Sequence, residues 1–148
     1  MTTLTLARPD DIDRLLPLVT AFHAEQGIAQ DDTIRRAALM PLLEGSPHGA
    51  AYLMGPVRAP IGYVVISFGW SLEFAGMDGF LDEIYVRPGV RGRGIGTEVL
   101  MSLPKALSQS GLRAIHLEVR RDKPRTRAFY ERLQFEAHED YMLMSCRL

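Results

Sequence analysis

Three glycines at alternate positions, Gly92, Gly94 and Gly96, are interleaved with Arg91, Arg93 and Ile95 and followed by Thr97. Glycine lets the backbone approach a ligand closely. The apolar run after Thr97 reads as a helix, whose first N–H groups lack internal partners. Together these features could cradle an anion, with Arg91 and Arg93 adding positive charge beside it. Just upstream, in Leu81-Asp82-Glu83-Ile84-Tyr85-Val86, two adjacent carboxylates sit in a strand-favouring run that Arg87-Pro88-Gly89 ends. The one cysteine, Cys146, lies far from these residues in the sequence, so a thiol nucleophile is not expected.

Three glycine-loop signatures compete for the anion. A P-loop requires Gly-x-x-x-x-Gly-Lys-Ser/Thr, and this loop holds no lysine. The dinucleotide fingerprint Gly-x-Gly-x-x-Gly fails because Thr97 occupies its third glycine position. A glycine-rich turn that binds nothing leaves three glycines and two arginines without a purpose. The remaining pattern, Arg91-x-x-Gly94-x-Gly96 after a strand with two carboxylates, resembles the acyl-CoA-binding motif of the GNAT superfamily of N-acyltransferases.

The elements that must position these residues follow from periodicity. Thr2 to Ala7 alternates as a short strand. A helix follows Pro9-Asp10-Asp11 and runs to about Gln26, with Ile12, Leu15, Leu16, Val19 and Phe22 as its apolar stripe and Pro17 expected to kink or split it. A second helix begins near Asp31-Asp32 and carries Ile34, Ala38, Leu39 and Leu42, with Pro41 expected to distort it. Ala50–Met54 and Ile61–Phe68 read as a hairpin. Gly69–Gly79 is either a strand end with a connection or a bulged strand pair, and it brings Trp70, Glu73, Phe74 and Asp78 just before the carboxylate strand. The helix after the glycine loop runs to about Ser110, with Pro104 interrupting it and Gly111 as its stop. Leu112–Val119 is a strand, Pro124 opens a helix over Arg125–Leu133, and Tyr141–Leu148 alternates as a closing strand.

A second segment is similar to the family's other signature, a strand, an Asn, and a helix bearing Ala-x-x-aromatic-Tyr-x-x-Leu-Gly-Phe. Ala128, Phe129, Tyr130, Leu133 and Phe135 match it, whereas Lys123 replaces the Asn and Gln134 replaces the Gly. The resemblance spans the chain. It implies one GNAT domain over 1–148, an α/β (α+β) fold with a mixed, mostly antiparallel sheet flanked by helices, in which two parallel strands splay and acyl-CoA enters the gap. It implies acetyl-CoA as co-substrate and no metal. The pyrophosphate would rest on N–H groups from Gly92 to Thr97, the acetyl carbonyl on a backbone N–H near Tyr85 or Val86, and the pantetheine arm near Lys123. A basic run, Arg120, Arg121, Lys123 and Arg125, either holds a CoA phosphate or is a solvated edge.

The same resemblance assigns Asp82 as the base, or the holder of a water that serves as one. Glu83 supports the substrate or the fold, and Tyr130 protonates the leaving thiolate. Adjacent strand residues face opposite ways, so only one carboxylate can meet the acyl group. His23 and Glu25 end the first helix, which borders the acceptor site in the family; a structural role for the histidine is the alternative. Trp70, Glu73 and Asp78 could wall a site for cations. The expected reaction is direct acetyl transfer to a small cationic amine. Transfer to a peptide or protein amine is the second reading, and a CoA-binding sensor without turnover the third.

Composition sets outer bounds. The chain has 148 residues, 47% hydrophobic and 24% charged, with formal net charge −1. That is the balance of a globular domain, without the basic excess of a nucleic-acid binder. The N-terminus carries no long apolar core, and no apolar run approaches the roughly 20 residues of a membrane span. A single cysteine suits a reducing cytoplasm. A homodimer through the closing strand remains open.

Overall fold

The computed structural model describes residues 1–148, which form two compact units, 1–117 and 118–148. In the first unit, strand β1 (Leu4–Leu6) leads through a single 3-10 turn into helix α1 (Ile12–Gln26) and then helix α2 (Asp32–Leu43). Strands β2 (Gly49–Met54), β3 (Gly62–Ser71) and β4 (Gly76–Val86) follow, then helix α3 (Ile95–Gln109) and strand β5 (Leu112–His116). The five strands lie in sequence order. All neighbours are antiparallel except β4 and β5, which are parallel and joined through α3. This is the mixed sheet the resemblance implied.

The prolines disturb less than expected. Pro17, Pro41 and Pro104 each lie inside one continuous helix. Pro17 removes the donor for the Asp13 carbonyl and Pro41 the donor for that of Ala37, but both acceptors sit on exposed residues where water can serve. Of the two expectations for Gly69–Gly79 the strand pair holds, without a bulge inside it: Gly69 to Ser71 pair with Asp78 to Gly76 in regular register.

The face of the sheet under α1 and α2 is closed by Leu15, Leu18, Val19, Leu39 and Leu43 against Ala51, Leu53, Tyr63, Val65 and Tyr85. The buried row of α2 is Arg35, Leu39 and Leu43, spaced by four, while Ile34 is exposed. Of the expected stripe Ile34, Ala38, Leu39 and Leu42, only Leu39 lies on this row, and a charged side chain occupies the core position one turn before it.

In the second unit, helix α4 (Pro124–Arg132) starts with proline in its first turn and ends in a Schellman motif. Phe135 N–H donates to the Tyr130 carbonyl at 3.1 Å and Gln134 N–H to that of Glu131 at 3.1 Å. The Tyr130 and Phe135 rings meet with centroids 5.6 Å apart. The motif needs a left-handed residue, and Gln134 supplies it at φ +71°. An L side chain is strained there, so Gln134→Gly is expected to raise stability by about 0.5–1 kcal/mol after allowing for glycine's looser unfolded chain. A lower urea midpoint would contradict that account.

The expected closing strand over 141–148 is a correction. The segment has no strand, and Tyr141, Met142, Leu143, Met144 and Leu148 are exposed. Alternation marks two faces, but a strand also needs a neighbouring ladder, and residues 118–148 contain no other strand.

Candidate functional site

The site is built on β4. Its pairing with β5 ends at Phe80 opposite His116, and β4 continues past it from Leu81 to Val86. Arg87 N–H donates to the Ile61 carbonyl on the β3 side at 2.8 Å. Main-chain groups alternate between edges along a strand, so those of Ile84 and Val86 face the edge that β5 leaves. The two residues expected near the acetyl carbonyl, Tyr85 and Val86, therefore present their main-chain groups to opposite edges. Tyr85 directs its carbonyl to β3, where a Cβ added at Gly62 would lie 2.2 Å from it, and its N–H shares that edge. Val86 N–H faces the open edge. The Tyr85 ring belongs to the core, with Phe22 and Tyr63 centroids 6.1 Å away in each case.

The glycine loop follows directly. Gly92 and Gly94 both have φ +79°, and a Cβ at either would have nothing within 4 Å. Gly94 is the N-cap of α3, and Glu98 N–H is the first to bond back to it, at 3.0 Å. The N–H groups of Ile95, Gly96 and Thr97 are thus the start-of-helix donors that an anion can take. Arg91 is more engaged than the sequence implied. Its Nε donates to the Val86 carbonyl at 2.7 Å, its NH2 contacts both Glu25 oxygens at 2.8 and 2.9 Å, and its guanidinium lies 5.4 Å from the Tyr85 ring centroid. Arg93 is exposed.

The carboxylate pair departs from simple alternation. Val65 pairs with Glu83 and Ile66 with Leu81, so Asp82 is the extra residue of a β-bulge. A bulge breaks the period of two, so alternation alone does not set the faces of Asp82 and Glu83. Asp82 is exposed. Glu83 is drawn in: Tyr63 OH donates to its Oε1 at 2.7 Å and His23 Nε2 lies 2.6 Å from its Oε2. Burial, together with the Glu83 and Asp82 charges, pushes the Tyr63 phenol far above its ordinary range, so it stays a donor.

His23 owes its place to the end of α1. Gly27, at φ +70°, turns the chain so that Ile28 N–H donates to the His23 carbonyl at 2.9 Å. The imidazole continues the buried face of Ile12, Leu15 and Val19. Behind it, Arg35 Nε donates to His23 Nδ1 at 2.9 Å and Arg35 NH1 to Asp32 Oδ1 at 2.9 Å, while Thr20 OH donates to the same Asp32 oxygen at 2.8 Å. Asp31 caps α2 by accepting Ile34 N–H at 2.9 Å, which sets Arg35 one turn into the helix. One polar chain therefore runs Thr20–Asp32–Arg35–His23–Glu83–Tyr63. Sequence reading found His23 and Glu83 but missed Arg35 and Tyr63. The available signals were a cation on the four-spaced row with Leu39 and Leu43, and a tyrosine opposite Tyr85.

Trp70 and Glu73 are not brought to this cluster. They are exposed at the far end of the β3–β4 hairpin, roughly 20 Å along β4 from Glu83 at strand rise. Asp78 instead contacts His116 Nε2 at 3.2 Å, and Phe74 packs on that ring.

In residues 118–148, the Tyr130 ring packs between Phe129 and Phe135, at centroid distances of 5.2 and 5.6 Å. Burial raises its phenol above the ordinary value of 10.0, so it keeps its proton at neutral pH. Lys123 is the N-cap of α4 and makes no side-chain cap, as its substitution for Asn implied. Of the basic run, Arg120 pairs with Asp122 at 2.8 Å; beyond the run, Arg127 pairs with Glu131 and Glu139. No group of three His, Cys, Asp or Glu side chains is arranged to hold a metal ion, and no helix is long and apolar enough to cross a membrane.

A family model described as acetyltransferase (GNAT) family matches residues 19–135, from the middle of α1 to the end of the Schellman turn. The chain belongs to the GNAT acetyltransferase family. Among curated relatives of this GNAT chain, an acetyltransferase of Sodalis glossinidius is 36% identical over 76 residues, 49% of the chain and 54% of the relative. An acetyltransferase of Pectobacterium atrosepticum is 39% identical over 64 residues, 41% of the chain and 45% of the relative. The chain thus spans about half the length of these relatives. Among solved structures, an integron cassette protein from a salt-marsh metagenome superposes with TM-score 0.83 at 29% identity, covering 98% of the GNAT chain and 90% of that protein. An aminoglycoside N-acetyltransferase solved with CoA shares the fold, with TM-score 0.80 at 16% identity over 100% of this chain and 96% of that one.

Proposed function

We propose that this GNAT protein transfers an acetyl group from acetyl-CoA to a primary amine, a small cationic one, by direct attack in a ternary complex. The observation that carries the reading is the unit formed by β4 past its last β5 partner, the glycine turn and the start of α3. That unit offers peptide-like pairing to a pantetheine arm and unpaired N–H groups to a pyrophosphate. The donors for the phosphates are the N–H groups from Gly92 to Thr97, with Arg91 and Arg93 nearby. Val86 N–H is the donor for the acetyl oxygen as it becomes an oxyanion.

An ammonium group with an ordinary pKa of about 10.4 must lose a proton before it attacks. Asp82, exposed on the bulge, is the proton acceptor, directly or through water. Glu83 receives hydrogen bonds on both oxygens, which suits it to attract the ammonium rather than to take its proton. Tyr130 returns a proton to the thiolate; that role rests on the motif match and on its retained proton. The acidic character of Asp82 and Glu83 favours a small cationic amine over a protein terminus, and Trp70 and Glu73 are assigned no part in it.

The test is release of free thiol from acetyl-CoA against a panel of amines and peptides. Cationic small amines should turn over best. Peptide N-termini alone as acceptors, or binding without any release, would replace this reading with one of the two others. Tyr63→Phe removes one donor to Glu83 without changing the ring. It is expected to raise the KM for a cationic amine several-fold with kcat little changed, as for lost uniform binding. A drop confined to kcat would instead put Glu83 in the proton-transfer step.

A further inference from the structure

Arg35 is 8% exposed on its side chain and occupies a leucine-spaced position of α2. Placing a guanidinium there costs desolvation that an aliphatic residue would avoid, so its contacts merit an explanation beyond packing. It has three: Asp32 Oδ1 at 2.9 Å, the Ile28 carbonyl at 3.5 Å, and His23 Nδ1 at 2.9 Å. The last has a chemical consequence. Arginine is a donor only, so His23 Nδ1 must accept and carries no proton of its own. The single ring hydrogen is then on Nε2, 2.6 Å from Glu83 Oε2, where it can only be donated to the carboxylate.

We infer that Arg35 is a positioning residue for the acceptor site: by filling His23 Nδ1 it holds the imidazole in the Nε2–H form, so that Glu83 meets the acceptor amine as a carboxylate fixed by hydrogen bonds on both oxygens. The inference rests on the acetyl-transfer reading of the site given above. Without Arg35, the imidazole has two other states. With its proton moved to Nδ1, it turns a lone pair towards Glu83. With a second proton, it becomes an imidazolium that neutralises Glu83. The first state removes the ring donor that holds Glu83 in place, and the second cancels its charge, so in either case the amine no longer meets a fixed, negative carboxylate. The groups facing this imidazole are Glu83 from β4, Arg35 and through it Asp32 from α2, and the Phe22 ring from α1, with Tyr63 of β3 reaching it through Glu83. The same chain explains why α1, α2 and β4 are tied by polar contacts within an otherwise apolar face.

Long-range nitrogen–proton NMR of the imidazole reads the tautomer directly. The wild-type protein should show a protonated Nε2 and a bare Nδ1 at His23; a proton on Nδ1 would overturn the inference whatever any variant does. Arg35→Met keeps the length and removes the donor. It should redistribute the ring proton and raise the KM for a cationic amine about tenfold, with kcat and acetyl-CoA affinity by calorimetry little changed. Arg35→Lys, which retains a cationic donor, should recover most of both signals. A redistributed proton with unchanged KM, or parallel losses in amine KM, kcat and cofactor affinity, would reduce Arg35 to packing. Absence of acetyl transfer by the wild-type enzyme would overturn the function and this role together, whereas transfer with the wrong tautomer overturns this role alone.

Discussion

Gly94→Glu is expected to abolish acetyl-CoA binding in a calorimetric titration. Gly94 caps α3 at φ +79°, and an added Cβ has open space around it. That space lies at the helix start, where a ligand anion would sit. A glutamate would put a carboxylate there and face the phosphates with like charge while losing nothing of the core. The backbone strain of a left-handed L residue costs about 1–2 kcal/mol, which Gly94→Ala also bears. The alanine variant therefore separates the two effects: it should be slightly less stable yet still bind. If Gly94→Glu bound acetyl-CoA normally with the fold intact, the anion cradle would lie elsewhere.

Tyr130→Phe is expected to lower kcat by about a hundredfold, the usual contribution of a general acid, while acetyl-CoA affinity changes by no more than a few-fold. The ring is fixed by Phe129 and Phe135, so the variant keeps its packing and loses only the hydroxyl. The sign of the pKa change matters for the pH profile. Burial raises the phenol above 10.0, so the wild-type donor stays protonated throughout neutral and mildly alkaline pH. The profile should therefore show no alkaline fall caused by this tyrosine below about pH 10. An unchanged kcat in a folded variant would assign the residue to the aromatic cluster.

Much of the site was legible because its parts are local. Glycines at alternate positions, a strand before them and a helix after them specify the loop without help from distant residues, and the observed Gly92 and Gly94 torsions match that reading. The helix and strand order was legible for the same reason. What failed depends on partners. Residues 141–148 have the alternation of a strand but no ladder in their own unit. The alternation offered beside the resemblance for Asp82 and Glu83 assumed a period of two that the bulge opposite Val65 and Ile66 interrupts, and a bulge leaves no signature in residue type here. Trp70 and Glu73 were near the carboxylates in sequence but lie at the other end of a long strand. Arg35 was hidden by the assumption that a helix stripe is apolar. Its role is visible only once His23 and Glu83 are known to be neighbours, across 60 residues of sequence.

The central claim is direct acetyl transfer, and product stoichiometry tests it most directly. Enzyme, acetyl-CoA and one good amine acceptor are mixed and quenched over several turnovers, and free CoA, acetylated amine and protein mass are measured together. The account predicts equal amounts of CoA and N-acetyl amine, and no acetylated protein at any time. Formation of an acetylated protein before the product, or CoA release without any acetylated amine, would contradict it.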